Sequence, residues 1–324
     1  REREIRAFKP VEYWSIEGLF AATGGSFTAG LSEYKGGKVE KLTVSSETDA
    51  AKVLSEIEGT DWVIEKVESK EVKRNAAPPF ITSTLQQEAA RKLRFSSRRT
   101  MTLAQQLYEG VDVGGNSSAL ITYHRTDSVN LSAGALAEAR EVITRKFGAE
   151  YALTTPRRFK SRRGAQEAHE AIRPTSIART PESLKNVLGR DHLRLYELIW
   201  RRAVASQMSS SRLEQSAVTV AAKSEVARFR ATGSRILFDG FLKLYEEGRD
   251  EEAEEAKRLP ELKEGEEAEL QEVSKNQHFT EPPPRYSEAS LVKALEELGI
   301  GRPSTYASII SVLVDRDYVD LIER

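Results

Sequence analysis

The 324 residues contain no cysteine, which excludes disulfides, thiol nucleophiles and thiolate-bound zinc. Histidine is almost as scarce. His124, His169, His192 and His278 are the four, spaced too widely for a His-based metal cluster. No apolar run reaches the ~18 residues of a membrane span, so no membrane partner is expected. The opening "REREIRAFKP" has charges and no apolar core, so it is not expected to be a secretory signal. It reads as a charged helix entered midway, and the closing "YVDLIER" stops as abruptly, as expected of a piece of a longer protein.

Net charge is also nearly absent, at -1, but the charges are segregated. Residues 70–175 hold 18 Lys and Arg against 10 Asp and Glu, whereas residues 246–272 hold 13 acids against 4 bases. The basic stretch suggests an anionic polymer as partner, with an unevenly charged solvated surface as the competing reading. The acidic tract reads as a solvated loop with little structure.

What is present has a β–α–β order. Residues 11–46 alternate in short runs broken by "TGGS" and "YKGGK", a pattern of antiparallel strands and turns. "SETDAAKVLSEIEG" reads as a short helix stopped by Gly59, and "DWVIEKVESKEVKR" as one long strand. Helical patterns then fill Phe80 to Met208. Thr84 with Gln87 forms a capping-box signature in "TSTLQQEAARKL", and Ser132 starts "AGALAEAREVITRKFG". Strand character returns at "SAVTVAAK" and "EVARFRAT". After "EPPPR" come two further helices joined by "GIGRP". The simplest account is a helical domain inserted into a β domain.

The chemistry concentrates in "ALITYHRTDSVNLS", residues 119–132. If "ALITY" is extended, Tyr123 and Arg125 share one face and His124 points away. A free phenol titrates near pH 10, so a neighbouring guanidinium that favours phenolate and grips a phosphate oxygen would make it a usable nucleophile. A buried Tyr beside a surface Arg is the plainer reading. Asp127 has two open roles, orienting Arg125 or starting the turn into the helix. "QEAHEAIRPT" sets His169 beside Glu170 and Arg173, suited to phosphate contact or proton transfer, or to an ordinary helix surface. "LGIGRPSTYASII" sets Arg302, Ser304 and Thr305 at a helix start where free N–H groups form an anion site, or merely a hinge.

Together with "PPFITSTLQQEAARKL", "RTMTLAQQLYEG" and "PPPRYSEASLVKALEELG", these stretches resemble the bacterial type IA DNA topoisomerases, in the family's order across residues 78–313. The resemblance implies a multidomain α+β fold. A β-rich arch (21–80 and 209–272) carries an inserted helical domain with the active-site tyrosine (81–208). Residues 1–20 and 273–324 would be remnants of a helical, helix-turn-helix-like base domain. It implies catalytic roles for Tyr123, which would bond the 5′ phosphate of a cut strand, for Arg125 and for His169. DNA-binding roles fall on Arg302, Thr305, Ser304 and Arg173, and supporting roles on Asp127 and Glu170.

The implied activity is an ATP-independent isomerase that relaxes negative supercoils through a phosphotyrosine intermediate. The implied setting is the bacterial cytoplasm and nucleoid, with a monomer acting on single-stranded DNA. Two departures stand out. His124 replaces the usual Met, and the Toprim domain that binds Mg2+ has no counterpart here. These residues are therefore expected to hold no metal, to bind single strands and to lack relaxation activity alone. Two other classes compete: a non-catalytic helix-turn-helix DNA-binding module and a hydrolytic nuclease.

Overall fold

The computed structural model describes residues 1–113, 115, 117–160, 169–248, 258–320 and 322. In chain order the first elements are α1 (Glu2–Ala7), β1 (Glu12–Ala22), β2 (Gly25–Tyr34), β3 (Gly37–Lys38), α2 (Glu47–Ile57) and β4 (Trp62–Arg74). Next come α3 (Thr82–Glu88), α4 (Ser97–Glu109), the two-residue strands β5 (Val111–Asp112) and β6 (Ser117–Ser118), α5 (Ala133–Phe147) and α6 (Arg190–Ser206). The last are β7 (Ser211–Ala222), β8 (Ala227–Phe238), β9 (Glu267–Phe279), α7 (Glu288–Glu297) and α8 (Tyr306–Asp315). They form two units. One holds residues 1–73, 212–238 and 258–285, the other 74–211, 239–248 and 286–322.

In the first unit the strands neighbour one another in the order β1-β9-β4-β7-β8-β2-β3, and β1 also pairs with β2. The sheet thereby closes on itself, leaving β3 as the short appended edge. Alternation selects the inside: Ile16 and Phe20 of β1 face a core with Phe27, Ile64, Val220 and Phe229. The Phe20 ring meets Trp62 and Phe229 edge-on, with centroids 5.4 and 5.3 Å away. Gly18 is required by this packing, because a Cβ there would sit 2.7 Å from the Phe20 ring. Ser46 caps α2 by accepting the Asp49 N–H, and Ala50, Val53 and Ile57 bury its apolar stripe.

Two expectations change here. The boundary expected at residue 20 cuts through β1, and the one at 272 cuts through β9. These strands pair along ten positions, so they belong to the sheet and not to a helical base. The acidic tract is also more ordered than its composition suggested. Residues 249–257 lie outside the described residues, but Glu264 and Glu266 accept backbone N–H groups of Val67 (2.9 Å) and Thr23 (2.6 Å). A Cβ on Gly24 would lie 1.9 Å from the Glu261 carbonyl oxygen, so this segment lies tight against the β1–β2 turn. Carboxylates that cap amides hold a segment that charge repulsion alone would release.

The second unit is helical. Leu195, Tyr196, Ile199, Trp200 and Ala203 of α6 are buried at its centre. α3 is buried on almost every side. Its cap position is Ile81, and Thr84, expected to be the cap, is the third residue, whose hydroxyl accepts the Ile81 N–H at 3.0 Å. α4 and α5 start at Ser96 and Ser132 and stop at Gly110 and Gly148, the Ser132 start as its sequence indicated. The pair α7–α8 packs around Val292, Leu295, Tyr306 and Ile310. It joins this unit through Glu288, which accepts the Ser97 N–H at 2.6 Å. Residues 239–248 return to it as well: Tyr245 and the Gly248 N–H both donate to the buried Glu88 carboxylate.

Candidate active site

"ALITY" is not a regular strand. Its single ladder contact is the bridge between Ile121 and Pro174. The extended chain is fixed instead by bonds to two neighbours. On one side Thr122 donates its N–H to the Arg173 carbonyl (2.9 Å) and its hydroxyl to the Ala171 carbonyl (2.7 Å), while Thr175 N–H reaches Leu120 O (2.9 Å). On the other side Thr82 exchanges backbone and side-chain bonds with Thr126, and its hydroxyl also lies 2.8 Å from the His124 carbonyl. Buried backbone groups are thus satisfied without a sheet, and three separate sequence motifs meet at one place.

The alternation expected for this stretch is present. Tyr123 (40% exposed) and Arg125 face solvent, whereas His124 is fully buried. Neither the Tyr123 hydroxyl nor the Arg125 guanidinium has a hydrogen-bond or ion-pair partner among the described residues. His124 has both ring nitrogens buried without a partner. Burial, reinforced by the Arg125 charge, pushes its pKa down to about 4, so the ring is neutral at pH 7. It packs as a flat filler, which accounts for its standing where an apolar residue would serve.

Three rings hold the Tyr123 ring: Tyr108 at 5.5 Å and 64°, His169 at 5.7 Å and 68°, and His124 at 5.7 Å and 60°. Such tilted and edge-on contacts restrict a two-torsion side chain while leaving its hydroxyl open. Tyr108, in the last turn of α4, escaped the sequence reading. The available signal was an aromatic residue closing a helix shortly before the Tyr123 stretch.

The His segment divides its roles. His169 reaches the phenol and keeps Nδ1 buried and unpaired. Glu170 and Arg173 face each other at 2.6 Å, and Glu170 also accepts the Ser132 N–H at the start of α5 (2.5 Å). Burial raises the Glu170 carboxyl pKa, but the Arg173 and Ser132 bonds outweigh it and hold the group below its ordinary value. The terminal nitrogens of Arg173 also donate to the Pro174 and Thr175 carbonyls and the Ser132 hydroxyl, while its Nε is buried without a partner. Arg173, expected to bind DNA, links the His segment to the start of α5 through Glu170 and Ser132. Asp127 is half-buried just beyond Arg125.

Arg302, Ser304 and Thr305 form a separate group at the start of α8. The Thr305 hydroxyl accepts the Arg302 N–H (2.8 Å), and the Arg302 guanidinium donates to the Gly301 carbonyl (2.7 Å). No hydrogen bond or ion pair among the described residues joins them to Tyr123 or Arg125. No group of three or more His, Asp or Glu among the described residues is arranged to hold an ion. No helix among them is long and apolar enough to cross a membrane.

Comparison with known proteins points to one family. The family model for DNA topoisomerase matches residues 1–324. DNA topoisomerase 1 of Rickettsia felis is 52% identical over all of this chain and 42% of its own length, and that of Xylella fastidiosa strain 9a5c is 50% identical over all of this chain and 41% of its own. The full-length topoisomerase I structure from Thermotoga maritima superposes with a TM-score of 0.82 at 40% identity, covering all of this chain and 50% of that one. The chain thus spans about two-fifths of the length of these curated relatives. It belongs to the bacterial type IA DNA topoisomerase family.

Proposed function

We propose that these residues carry the strand-cutting half of a type IA topoisomerase, with Tyr123 as the nucleophile. The observation that carries this reading is an exposed phenol, caged by three rings, whose hydroxyl is unpaired beside an unpaired guanidinium. The Tyr123 oxygen attacks a backbone phosphorus, a new P–O bond forms, and the bond from phosphorus to the 3′ oxygen breaks. The phenolic proton is lost, the departing 3′ oxygen gains one, and the 5′ phosphate stays on Tyr123. Reversal reseals the strand, because the ester conserves the bond's energy.

Arg125 is free to grip a non-bridging oxygen and to stabilise the charge that builds there. His169 reaches the same phenol and supplies a phosphate contact or a proton path. Arg302, Ser304 and Thr305 offer a second anion contact further along a single strand. The acidic centre for Mg2+, in this reading, lies on a Toprim domain outside these residues. They alone bind single-stranded DNA as a monomer and do not relax supercoils.

The test uses the longest natural chain that contains these residues, with Mg2+ and a single strand labelled at its 3′ end. Label should remain on denatured protein and should disappear with Tyr123→Phe. Release of free fragments with no protein-bound label would instead indicate a hydrolytic nuclease. A preference for duplex in a gel shift would indicate a helix-turn-helix reader.

A further inference from the structure

Residues 157–160, Arg-Arg-Phe-Lys, run beside the loop that follows Tyr123. Arg157 is half-buried and pinned from several directions. Its N–H donates to the Gln207 side-chain oxygen (3.0 Å), and its carbonyl accepts from the Gln207 amide nitrogen (3.1 Å). Its guanidinium reaches the Ser206 carbonyl and the Ser210 hydroxyl, both at 3.1 Å. Phe159 is also half-buried and helps line a cavity of about 20 Å³ with Asn130, Leu131, Arg157 and part of Arg158, room for about one water. Asn130 is fastened in turn to the His segment, its carbonyl accepting the Ala171 N–H at 2.8 Å.

Burial therefore alternates along this strip. Arg157 and Phe159 turn inward as anchors, and Arg158 and Lys160 turn outward, both exposed. Neither has an ion-pair or hydrogen-bond partner among the described residues, although carboxylates are plentiful in the chain. In an extended segment, outward side chains two residues apart stand about 7 Å from each other. An anchored backbone that presents two unpaired cations at a regular spacing suits a phosphate backbone better than it suits stability. Exposed charges left unpaired add little to folding.

We propose that Arg158 and Lys160 form an additional phosphate-binding strip for single-stranded DNA, on the chain segment packed against the loop beyond Tyr123. This rests on the reading of the chain as a single-strand-binding topoisomerase piece, and it names residues that extend that site. The contact is electrostatic and independent of base sequence.

The experiment measures binding of this chain to a labelled oligothymidylate across a salt series. The parent is compared with the double variant Arg158→Ala/Lys160→Ala and with a control of equal charge change, Lys52→Ala/Lys70→Ala, taken from exposed positions of the other unit. Each phosphate contact on a single strand adds about 0.7 to the magnitude of the log–log salt slope. The first variant should lose about 1.4 of slope and bind several-fold more weakly at low salt, at unchanged Tm. The control should keep the parent slope. A first variant with the parent slope, or a control that loses as much, overturns the strip while leaving the wider reading intact. A parent that fails to bind the oligonucleotide overturns both.

Discussion

Two phenols of the helical unit, Tyr123 and Tyr245, live under opposite rules. Tyr245 is 5% exposed, and its hydroxyl lies 2.5 Å from the buried Glu88 carboxylate. Its ring has the Arg202 guanidinium 5.3 Å away. Burial raises its pKa far above the ordinary phenol value, so it stays protonated and serves as a strut. Tyr123 is 40% exposed, with its ring gripped and its hydroxyl free. The difference lies in what the surroundings satisfy. Around Tyr245 they satisfy the polar atom. Around Tyr123 they satisfy the backbone and the ring and leave the oxygen for an outside partner.

Substitutions can break this contrast. Tyr123→Phe should abolish the protein–DNA ester with no change in Tm, since the lost oxygen bonds to nothing; a drop in Tm would show that the hydroxyl is structural. Arg125→Ala, equally unpaired, should slow cleavage by about 10²–10³, the cost of losing one preorganised charge donor, and a single-turnover rate measures it.

The acid side sharpens the comparison. His124 has a folded pKa near 4, below the ordinary 6.5, so the unfolded chain binds the proton more readily. Its contribution is fully present above about pH 6.5 and is lost as pH falls towards 4, by up to about 3 kcal/mol. His124→Met should flatten stability across that window in denaturant titrations. An unchanged acid slope would show that other groups govern it.

Smaller effects follow at the strut and the cage. Tyr245→Phe leaves a buried carboxylate short of a donor and should cost about 1–3 kcal/mol in urea unfolding. Tyr108→Ala should slow cleavage by about tenfold, or ~1.4 kcal/mol, and Tyr108→Phe should restore the parent rate, because the ring and not its hydroxyl touches Tyr123. Equal rates for all three would remove Tyr108 from the cage.

Much of this was legible in the residue order. Ser132 marked the start of α5, and alternation set Tyr123 and Arg125 on one face with His124 on the other. Covalent neighbours and periodicity suffice for such features. Sheet closure was not legible, because the β1–β9 pairing joins residues more than two hundred positions apart and turned expected base remnants into barrel strands. Nor was the role of Arg173. A sequence shows a guanidinium, and only the fold shows that Glu170 and three other oxygens already occupy it. The Tyr108 contact was hidden for the same reason, since it depends on where α4 ends in space.

The most direct measurement is peptide mass spectrometry of the covalent complex, trapped on a short single strand with Mg2+ and digested with protease and nuclease. A nucleotide adduct on the oxygen of Tyr123 is the expected result. An adduct on Tyr108 or another residue, or none at all in a preparation that relaxes DNA, would contradict the assignment of the nucleophile.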